Sequence, residues 1–356
     1  MAKHESDSVL AKFHKDFGDG IGGVGVEHTQ VDRVPTGIFE LELASGGGIP
    51  QGRASIIYGP EASGKTTLAM LLLANTQAQL GSTAVIIDAE GTFDYDWGTR
   101  CGIDAARLVR LVPDTAEQAV DMIEGMLYAK DVGTVVVDSI AALTTHNEIE
   151  SDAGKQIVGG SALLVGKLVR KVVSALNSER KRKHTPALVC INQTRTKIGV
   201  MYGDPETTPG GQALRFISSM TIRVSGKDVY DKDLHDSLPV FKDSTATLRK
   251  WKVPVVAKTA EYKMCLYPHG NLQVGQTNAW NTVSNYLKQK GLLVKGAKGW
   301  SCMGQENLKL AHIQTLYETD PKIRALLQKE VVSRMSMWDD MKGMKVDTST
   351  GEILDE

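Results

Sequence analysis

ASIIYGPEASGKTTLAM, residues 54–70, holds the most informative pattern of the chain. It begins with a short apolar segment, Ala54–Tyr58, that is typical of a buried strand, and it leads into the predicted helix Leu68–Gln77. The turn from Gly59 to Thr66 fits the spacing G-x-x-x-x-G-K-[ST]. Because strand, turn and helix follow in the order that this motif requires, the sequence predicts a phosphate-binding loop.

The residues of this turn suit the binding of a nucleotide. Glycines allow backbone N–H groups to point at phosphate oxygens, and the start of the helix adds partial positive charge. Lys65 is expected to reach the β- and γ-phosphates, and the Thr66 hydroxyl to ligate Mg²⁺. The alternative, a glycine-rich turn without a ligand, does not account for the flanking strand and helix. The residues predicted to bind the nucleotide here are Gly59, Pro60, Glu61, Ala62, Ser63, Gly64, Lys65, Thr66 and Thr67.

Two carboxylates follow other predicted strands and should lie near this turn. Asp138 ends the strand Thr134–Asp138, where parallel sheets bind their ligands, and could hold the Mg²⁺ shell with Thr66. Glu90 follows the strand Thr83–Asp88 and could orient and deprotonate an attacking water. A helix cap at Asp138 and a surface glutamate at Glu90 are the simpler interpretations of each residue taken alone. Together with the phosphate-binding loop, the two carboxylates predict ATP hydrolysis.

Composition limits the class of protein. Of the 356 residues, 42% are hydrophobic and 23% charged, as in ordinary globular proteins, and the formal net charge is −1. Any nucleic acid must therefore bind to a local basic surface. The four cysteines are far apart and fit no metal-ligand spacing, and the first residues lack the apolar core of a signal peptide. We expect a soluble protein of a reducing cytoplasm, without membrane association.

The order of predicted elements indicates an α/β fold with a mainly parallel sheet flanked by helices. Between residues 54 and 191, short β-branched strands alternate with helical stretches, as in βαβ units. The segments 220–226, 245–253 and 261–267 alternate apolar and polar residues, which is typical of antiparallel strands with one solvated face. The polar stretch 226–244 is predicted as a long exposed hairpin.

Both ends of the chain carry smaller units. Near the start, Val9–Phe17 is amphipathic and cannot bury its apolar face alone. From about Thr277 a small α/β unit is predicted, and its last helix begins at Pro321 after the capping residue Asp320. The final ten residues form a short acidic tail.

Four stretches of the sequence resemble the bacterial RecA recombinases, in the same order and at nearly the same spacing. They are TGIFELELASGGGIPQGRASIIYGPEASGKTT (36–67), DAEGTFD (88–94), VVVDSIAALTTHNEIE (135–150) and NQTRTKIGVMYGDPETTPGGQALRF (192–216). The phosphate-binding loop is shared by many NTPases, whereas the fourth stretch is highly specific. The resemblance extends from roughly Leu10 to the C-terminal helix.

This resemblance implies an architecture and a domain division. The fold would be a RecA-type P-loop ATPase core with an N-terminal polymerisation helix and a small C-terminal α/β domain. The expected parts are a polymerisation segment (1–33), the ATPase core (34–268), the small domain (269–340) and the acidic tail (341–356).

The resemblance also implies roles for residues around the nucleotide. Gln193 would sense the γ-phosphate at the start of the second DNA-binding loop. Asp94 would bond the adenine amino group, and Trp97 would stack on the ring where the family usually has tyrosine. Lys250 and Lys252, on one face of a predicted strand, would reach the γ-phosphate of the neighbouring subunit. Two exposed strand lysines are the simpler alternative for that pair.

The implied DNA contacts lie in two loops, at about 150–160 and 194–211, and on the helix after the first. Arg170 on that helix matches an arginine that grips the DNA backbone, on a face that it shares with Lys167 and Lys171. A solvated face is the usual meaning of such a pattern. The other residues expected to bind DNA are Val158, Gly159, Arg195, Lys197, Ile198, Gly199, Val200, Met201, Gly210 and Gly211.

The chain departs from the family at two positions and has one further basic run. Leu163 stands where an arginine is usual, and Val158 replaces a methionine that inserts between base triplets. The run ERKRKH, residues 179–184, precedes the strand Ala187–Ile191 and so belongs at the sheet edge opposite the phosphates. We therefore interpret it as a solvated loop.

The activity implied by the resemblance is homologous recombination. With ATP and Mg²⁺ the protein would form a helical filament on single-stranded DNA, pair it with homologous duplex DNA and exchange strands. Single-strand-binding and loader proteins would be further partners, in the cytoplasm of a bacterial or phage-infected cell. A ring-forming helicase or clock-type ATPase on the same core is one alternative. A small-molecule P-loop kinase is another, although no acceptor pocket or lid is recognisable.

Overall fold

The computed structural model describes residues 5–17, 31–146, 160–182, 184–196, 206–207, 211–269, 272–333, 345–346 and 353–354. Its strands are β1 (Arg33–Val34), β2 (Ile49–Pro50), β3 (Ala54–Gly59), β4 (Thr83–Asp88), β5 (Leu108–Leu111), β6 (Val132–Asp138), β7 (Ala187–Gln193), β8 (Arg195–Thr196), β9 (Glu206–Thr207), β10 (Ser218–Val229), β11 (Phe241–Trp251), β12 (Thr259–Cys265), β13 (Leu293–Lys295), β14 (Trp300–Cys302), β15 (Gln305–Leu308), β16 (Lys345–Val346) and β17 (Ile353–Leu354). Its helices are α1 (Glu5–Phe17), α2 (Phe39–Ser45), α3 (Lys65–Gln79), α4 (Tyr95–Arg100), α5 (Ala116–Tyr128), α6 (Gly160–Lys181), α7 (Gly211–Ile217), α8 (Trp280–Gln289), α9 (Leu310–Thr319) and α10 (Pro321–Ser333).

Eight strands form the central sheet, in the order β12-β11-β10-β3-β7-β6-β4-β5. Neighbours from β10 to β5 are parallel, and β11 and β12 extend the sheet as an antiparallel edge. The predicted α/β class, a mainly parallel sheet flanked by helices, is confirmed. The predicted buried strands are present, and β6 and β7 each extend two residues beyond the predicted segments.

Two apolar cores cover the two faces of this sheet because alternate residues of each strand point to opposite sides. Ile57 of β3 packs with the apolar residues of α3 on one face. Its neighbour Ile56 packs on the other face with α5 and α6. Burying one large aliphatic side chain stabilises a fold by about 1.5–3 kcal/mol, so both layers fix the strand alignment.

A third core belongs to the C-terminal unit. It contains Trp280, Val283, Tyr286 and Leu287 of α8, together with Phe39 from α2. The Oδ1 atom of Asp320 accepts hydrogen bonds from the backbone N–H groups at the start of α10, as its predicted capping role requires. The domain boundaries given above stay predictions. Among the described residues, no helix combines the length and apolar content needed to cross a membrane.

The structure corrects several local expectations. The segment 226–244 is a hairpin, but its strands continue to Val229 and resume at Phe241, and Val240 beside them is fully buried. Lys252 lies one residue beyond β11 rather than on the strand.

The basic run 179–184 is a solvated loop only in part: Arg182 is exposed, but the start of the run is helical and partly buried. Its first residues belong to the last turn of α6, and the Glu179 side chain is 0% exposed. Glu179 accepts hydrogen bonds from Lys130 at 2.7 Å, Arg182 at 2.9 Å and His184 at 3.0 Å. The other ring nitrogen of His184 lies 2.9 Å from the carbonyl oxygen of Val132. The hydrogen bonds of Glu179 and His184 therefore connect the end of α6 with the start of β6.

Burial alone would raise the pKa of Glu179, but the hydrogen bonds from Lys130 and His184 outweigh it and hold this pKa below its usual range. A carboxylate with a depressed pKa stabilises the folded state at neutral pH. Its contribution disappears as the pH falls from the ordinary glutamate pKa through the lower folded-state value.

We predict that Glu179→Gln lowers the free energy of unfolding by about 2 kcal/mol at pH 7, because three donors lose a charged acceptor. The difference from wild type should shrink below about pH 4.3, the ordinary glutamate pKa. Urea unfolding followed by far-UV circular dichroism from pH 3.5 to 7 measures both effects. As a control, Lys130→Met removes one exposed partner and should cost less than about 1 kcal/mol. Equal stability of Glu179→Gln and wild type at pH 7 would contradict the assignment.

Candidate nucleotide site

The turn after β3 has the backbone geometry of an anion cradle. Gly59 ends the strand, and a Cβ atom there would lie 2.0 Å from the carbonyl oxygen of Val224. Gly64 has a positive φ of 94° and stands directly before α3, which begins at Lys65. The first N–H groups of α3 therefore face the turn, and glycine is required at both positions.

Two polar groups inside this turn suit a polyanion. The Ser63 hydroxyl is buried and has no hydrogen-bond partner among the residues that the structure describes. The Lys65 ammonium donates to the carbonyl oxygen of Pro60 at 2.6 Å. Burial lowers the pKa of Lys65, and the negative charges of Asp138 and Glu90 oppose this effect. Phosphate oxygens would satisfy the serine and give the lysine a charged partner.

Thr66 and Asp138 meet at the carboxyl ends of β3 and β6, as predicted for a Mg²⁺ site. The Thr66 hydroxyl donates to Oδ2 of Asp138 at 2.8 Å. Burial, together with the charges of Glu90 and Asp88, raises the pKa of Asp138 to about 6, although the bond from Thr66 opposes this. Hard oxygen donors of this kind fit Mg²⁺, which takes few protein ligands and completes its shell with phosphate and water.

Glu90 lies at the same sheet edge and connects two strand ends. Its Oε1 atom accepts a hydrogen bond from the Ser139 hydroxyl at 2.6 Å and from the Gln193 amide at 3.1 Å. Glu90 is exposed, so its carboxylate can reach solvent while both partners hold it. Gln193 in turn lies opposite Gly59 in the β3–β7 register. The structure brings together three residues predicted separately: Glu90, Gln193 and Gly59.

The loop that carries Glu90 is held by an ion pair that the sequence did not reveal. Asp88 is buried and accepts two bonds from Arg110 of β5, at 3.0 and 2.6 Å. It also accepts hydrogen bonds from the backbone N–H groups of Thr92 at 3.2 Å and Phe93 at 3.1 Å. The arginine inside the apolar strand LVRL (108–111) was the available signal, since a charged residue there needs a partner.

A cavity of about 480 Å³ adjoins the phosphate loop. One wall consists of residues 62–67 and Trp97, whose Nε1 atom donates to the Thr67 hydroxyl at 3.3 Å. Asp94 is not part of this wall. Its carboxylate accepts a hydrogen bond from the backbone N–H of Trp97 at 2.9 Å and so caps α4. The contact of Asp94 with adenine stays a prediction.

The opposite wall of the cavity comes from the end of the β10–β11 hairpin and the segment after β12. Its residues are Asp228, Leu238, Pro239, Lys242, Leu266 and Tyr267. The Tyr267 ring packs edge-on against His235, with 5.2 Å between ring centroids. None of these residues was predicted to belong to a site, because none of them is part of a recognisable motif.

Lys250 and Lys252 converge on the end of α7. The Lys250 ammonium donates to the carbonyl oxygen of Arg215, and that of Lys252 donates to the carbonyl oxygen of Phe216 at 3.0 Å. Burial lowers the pKa of Lys250, and the nearby charges of Lys252 and Arg215 lower it further. Within one protomer the two lysines therefore cap a helix rather than line the cavity described above.

The residues expected to bind DNA are only partly described. Arg170 is exposed on α6, whereas Lys171 is paired with Asp121 at 2.7 Å and Glu124 at 2.6 Å. The backbones of Arg195 and Thr207 pair where β8 meets β9, and Gly211 begins α7. Val158, Gly159, Lys197, Ile198, Gly199, Val200, Met201 and Gly210 lie outside the described residues.

The topology and this edge of the sheet define a P-loop nucleotide-binding protein. Residues 4–270 match the family model of the RecA N-terminal domain. Protein RecA of Nocardia farcinica is 35% identical over 336 residues, which cover 94% of this chain and 92% of that protein. The chain belongs to the RecA family.

Other relatives match over a shorter region. Protein RecA of Thermus aquaticus is 42% identical over 228 residues, covering 63% of this chain and 65% of that protein. Protein RecA of Aquifex aeolicus is 42% identical over 225 residues, covering 62% of this chain and 64% of that protein. These matches span just under two thirds of the relatives' length. A crystal structure of the RadB recombinase superposes with a TM-score of 0.47 at 21% identity, over 65% of this chain and 96% of that one, and the family assignment does not depend on it.

We predict that the Mg²⁺-dependent part of ADP affinity falls as the pH drops below about 6, because Asp138 must be ionised to serve as a ligand. Calorimetric titration with ADP, once in the presence of Mg²⁺ and once in the presence of EDTA, measures this Mg²⁺-dependent part of the affinity from pH 5 to 8. Protonation of ADP itself affects every protein equally, so Asp138→Asn is the reference and should show little Mg²⁺ dependence at any pH. A Mg²⁺ contribution in wild type that is constant from pH 8 to 5 would refute the assignment.

Proposed function

We propose that this chain is an ATP-dependent homologous-recombination protein. It polymerises on single-stranded DNA, pairs that strand with homologous duplex DNA and catalyses strand exchange with DNA-stimulated ATP hydrolysis. Membership of the RecA family and the geometry of the sheet edge support this function. The observation that carries it is the hydrogen bond between Glu90 and Gln193. This bond joins a carboxylate suited to hydrolysis to the residue from which the predicted second DNA loop begins.

ATP and Mg²⁺ are the proposed substrate and cofactor, and the fit of the residues supports both. Lys65, the Ser63 hydroxyl and the N–H groups at the start of α3 would bind the phosphates. Thr66 and Asp138 would hold Mg²⁺, whose charge would stabilise the negative charge that develops on the phosphate oxygens. The cavity beside Trp97 and Tyr267 has room for the base and ribose.

Glu90 is the proposed general base. Its carboxylate is exposed, and Ser139 and Gln193 hold one of its oxygens. The other oxygen can accept a proton from a water molecule placed beside the γ-phosphate. General-base catalysis by a positioned carboxylate contributes a rate factor of about 10²–10⁴.

Two contacts would couple this chemistry to DNA. Gln193 ends β7, and the next residue, Thr194, donates its backbone N–H to the carbonyl oxygen of Gly59 at 3.1 Å. The chain that enters the predicted DNA loop therefore touches both the phosphate loop and the proposed base. If DNA orders residues 194–211, the position of the Gln193 amide relative to Glu90 changes.

The proposed DNA surface consists of the two loops and the exposed Arg170. Phosphate contacts hold a strand without reading its sequence, which suits a protein that leaves recognition to base pairing. Among the described residues Arg170 has no ion-pair partner, which leaves its charge available for such a contact. Lys171 is already neutralised by two carboxylates, so we assign it to the packing of α6 on α5.

Assembly would complete the site. Val9 of α1 and Phe216 of α7 are 46% and 70% exposed, and two different apolar patches of this kind can join protomers head to tail. Such a contact repeats into an open helical filament unless the rotation closes. In the filament, Lys250 and Lys252 would exchange the α7 carbonyls for the γ-phosphate of a neighbour. Closed rings in negative-stain images would favour the helicase-like alternative.

The remaining assignments stay part of the proposal. They comprise the domain division at 33, 268 and 340, the contacts of Asp94 and Trp97 with adenine, the cytoplasmic location, and the interaction with single-strand-binding and loader proteins.

We predict that Glu90→Gln slows DNA-stimulated ATP hydrolysis by a factor of about 10²–10³ without loss of nucleotide binding, because the amide keeps the shape and loses the base. Gln193→Ala should retain DNA-independent hydrolysis and lose the stimulation by single-stranded DNA. Steady-state ATPase assays with and without a single-stranded oligonucleotide give both values. Full DNA stimulation of Gln193→Ala would show that this residue does not transmit the signal.

We predict that Arg170→Gln weakens single-stranded DNA binding about equally for all sequences. It should also flatten the plot of log K against log salt by roughly 0.7, the value for one phosphate contact on a single strand. Lys171→Gln is the matched control on the same helix, and its slope should stay near that of wild type. Fluorescence anisotropy with two unrelated oligonucleotides at several salt concentrations tests this. Identical salt slopes for both variants would show that Arg170 is an ordinary solvated residue and does not contact a phosphate.

A further inference from the structure

The cavity wall opposite the phosphate loop contains a charged pair that the function above leaves unused. Asp228 of β10 and Lys242 of β11 lie directly opposite each other in the antiparallel register, and both line the cavity. The Lys242 ammonium forms an ion pair with Oδ1 of Asp228. The Lys242 side chain is only 11% exposed, whereas that of Asp228 is 37% exposed. The cation is thus the more enclosed member of the pair.

Glycines on both sides make room for the stem of Lys242. A Cβ atom at Gly226 would lie 3.1 Å from its Cγ, and a Cβ atom at Gly64 would lie 3.4 Å from its Cδ. The side chain therefore passes from the hairpin directly onto the phosphate loop. At its end the ammonium donates to the carbonyl oxygen of Ala62 at 2.9 Å. It reaches the loop within a few residues of Lys65.

The Lys242 ammonium has one more hydrogen-bond donor than the acceptors that the described residues provide. An ammonium group has three donors, and the described residues provide Lys242 with two acceptors, Ala62 and Asp228. Lys65 has a comparable arrangement, since its ammonium rests on the carbonyl oxygen of Pro60. Two lysines thus lie on carbonyls of the same loop and border the same cavity. The third donor of Lys242 can bind an anion in that cavity without loss of the other two bonds.

We propose that Lys242 is a second nucleotide-binding cation of this chain, supplied by the β10–β11 hairpin of the same protomer. It donates to a phosphate oxygen of the bound nucleotide, and Ala62 and Asp228 hold it in position. This inference rests on the proposed nucleotide site. It predicts that the contribution of Lys242 grows with the number of phosphates, because the interaction is between charges.

A purely structural latch between the hairpin and the phosphate loop is the competing explanation, and the two differ in the role of Asp228. In a latch, both partners are needed equally, so removal of either loosens the loop by a similar amount. In a phosphate contact, the carboxylate of Asp228 repels the bound anion. Asp228→Asn should then preserve or improve ADP affinity while Lys242→Gln reduces it.

Calorimetric titration of adenosine, AMP and ADP in Mg²⁺ tests the proposal on wild type, Lys242→Gln, Lys242→Arg and Asp228→Asn. Lys242→Gln should weaken ADP binding about tenfold, the effect of one charge-assisted hydrogen bond, and adenosine binding less than about twofold. Lys242→Arg should stay within about threefold of wild type because it keeps the charge. Lys263→Gln is the matched control, since Lys263 is an exposed lysine on the adjacent strand that pairs with Asp243 at 3.5 Å.

Three results would overturn the inference. They are an equal loss of adenosine and ADP affinity in Lys242→Gln, unchanged ADP affinity in that variant, and a loss of ADP affinity in Asp228→Asn as large as in Lys242→Gln. Near-UV circular dichroism identical to wild type ensures that a loss is not unfolding, and rescue by Lys242→Arg gives the same control independently. A separate titration of Lys65→Ala tests the underlying site. If ADP binds Lys65→Ala as tightly as wild type, the nucleotide site itself is wrong. If Lys65→Ala loses ADP affinity while Lys242→Gln keeps it, only the inference about Lys242 is rejected.

Discussion

The parallel register of β3, β4, β6 and β7 is the constraint on which the site depends. Gly59 lies opposite Gln193 and Asp88 lies opposite Asp138, and β3 and β7 run two residues past β4 and β6, so the four strands stop within two residues of one level. The phosphate loop, the proposed metal ligand and the segment that carries Glu90 all begin there. A slip of one residue would turn every side chain of a strand to the opposite face. The two apolar cores therefore hold the alignment of the proposed site as well as the fold.

This level brings three carboxylates together, and the structure treats each differently. Asp88 is neutralised by Arg110 and holds the following loop through two backbone N–H groups. Asp138 is buried beside Thr66, and this burial raises its pKa to about 6, which favours a cation beside its carboxylate. Glu90 remains exposed and is bound by neutral donors. Different environments thus give neighbouring acids different roles, as structural anchor, proposed metal ligand and proposed base.

The sequence predicts the parts of the site that local patterns encode. The strand–loop–helix spacing and the apolar strands locate the phosphate loop, Asp138 and Glu90 at one edge, because parallel strands place their ends together, and the resemblance to the RecA recombinases adds Gln193. Contacts between distant segments left no such pattern. Lys242 meets Ala62 across 180 positions, and Lys130 meets Glu179 across 49. The run 179–184 was predicted as a solvated loop because charge suggests exposure, while the burial of Glu179 depends on partners that composition cannot identify.

The origin of the cations suggests an order of events in the proposed cycle. Lys65 and Lys242 belong to the same protomer as the phosphate loop, and both already rest on its carbonyls. Nucleotide binding then needs little rearrangement and no neighbour. The proposed hydrolysis would depend on groups held elsewhere, since Gln193 stands at the start of the predicted DNA loop and Lys250 and Lys252 cap α7 within a single protomer. The proposed site would therefore bind ATP before assembly and hydrolyse it after, because only DNA and a neighbour would complete the second set.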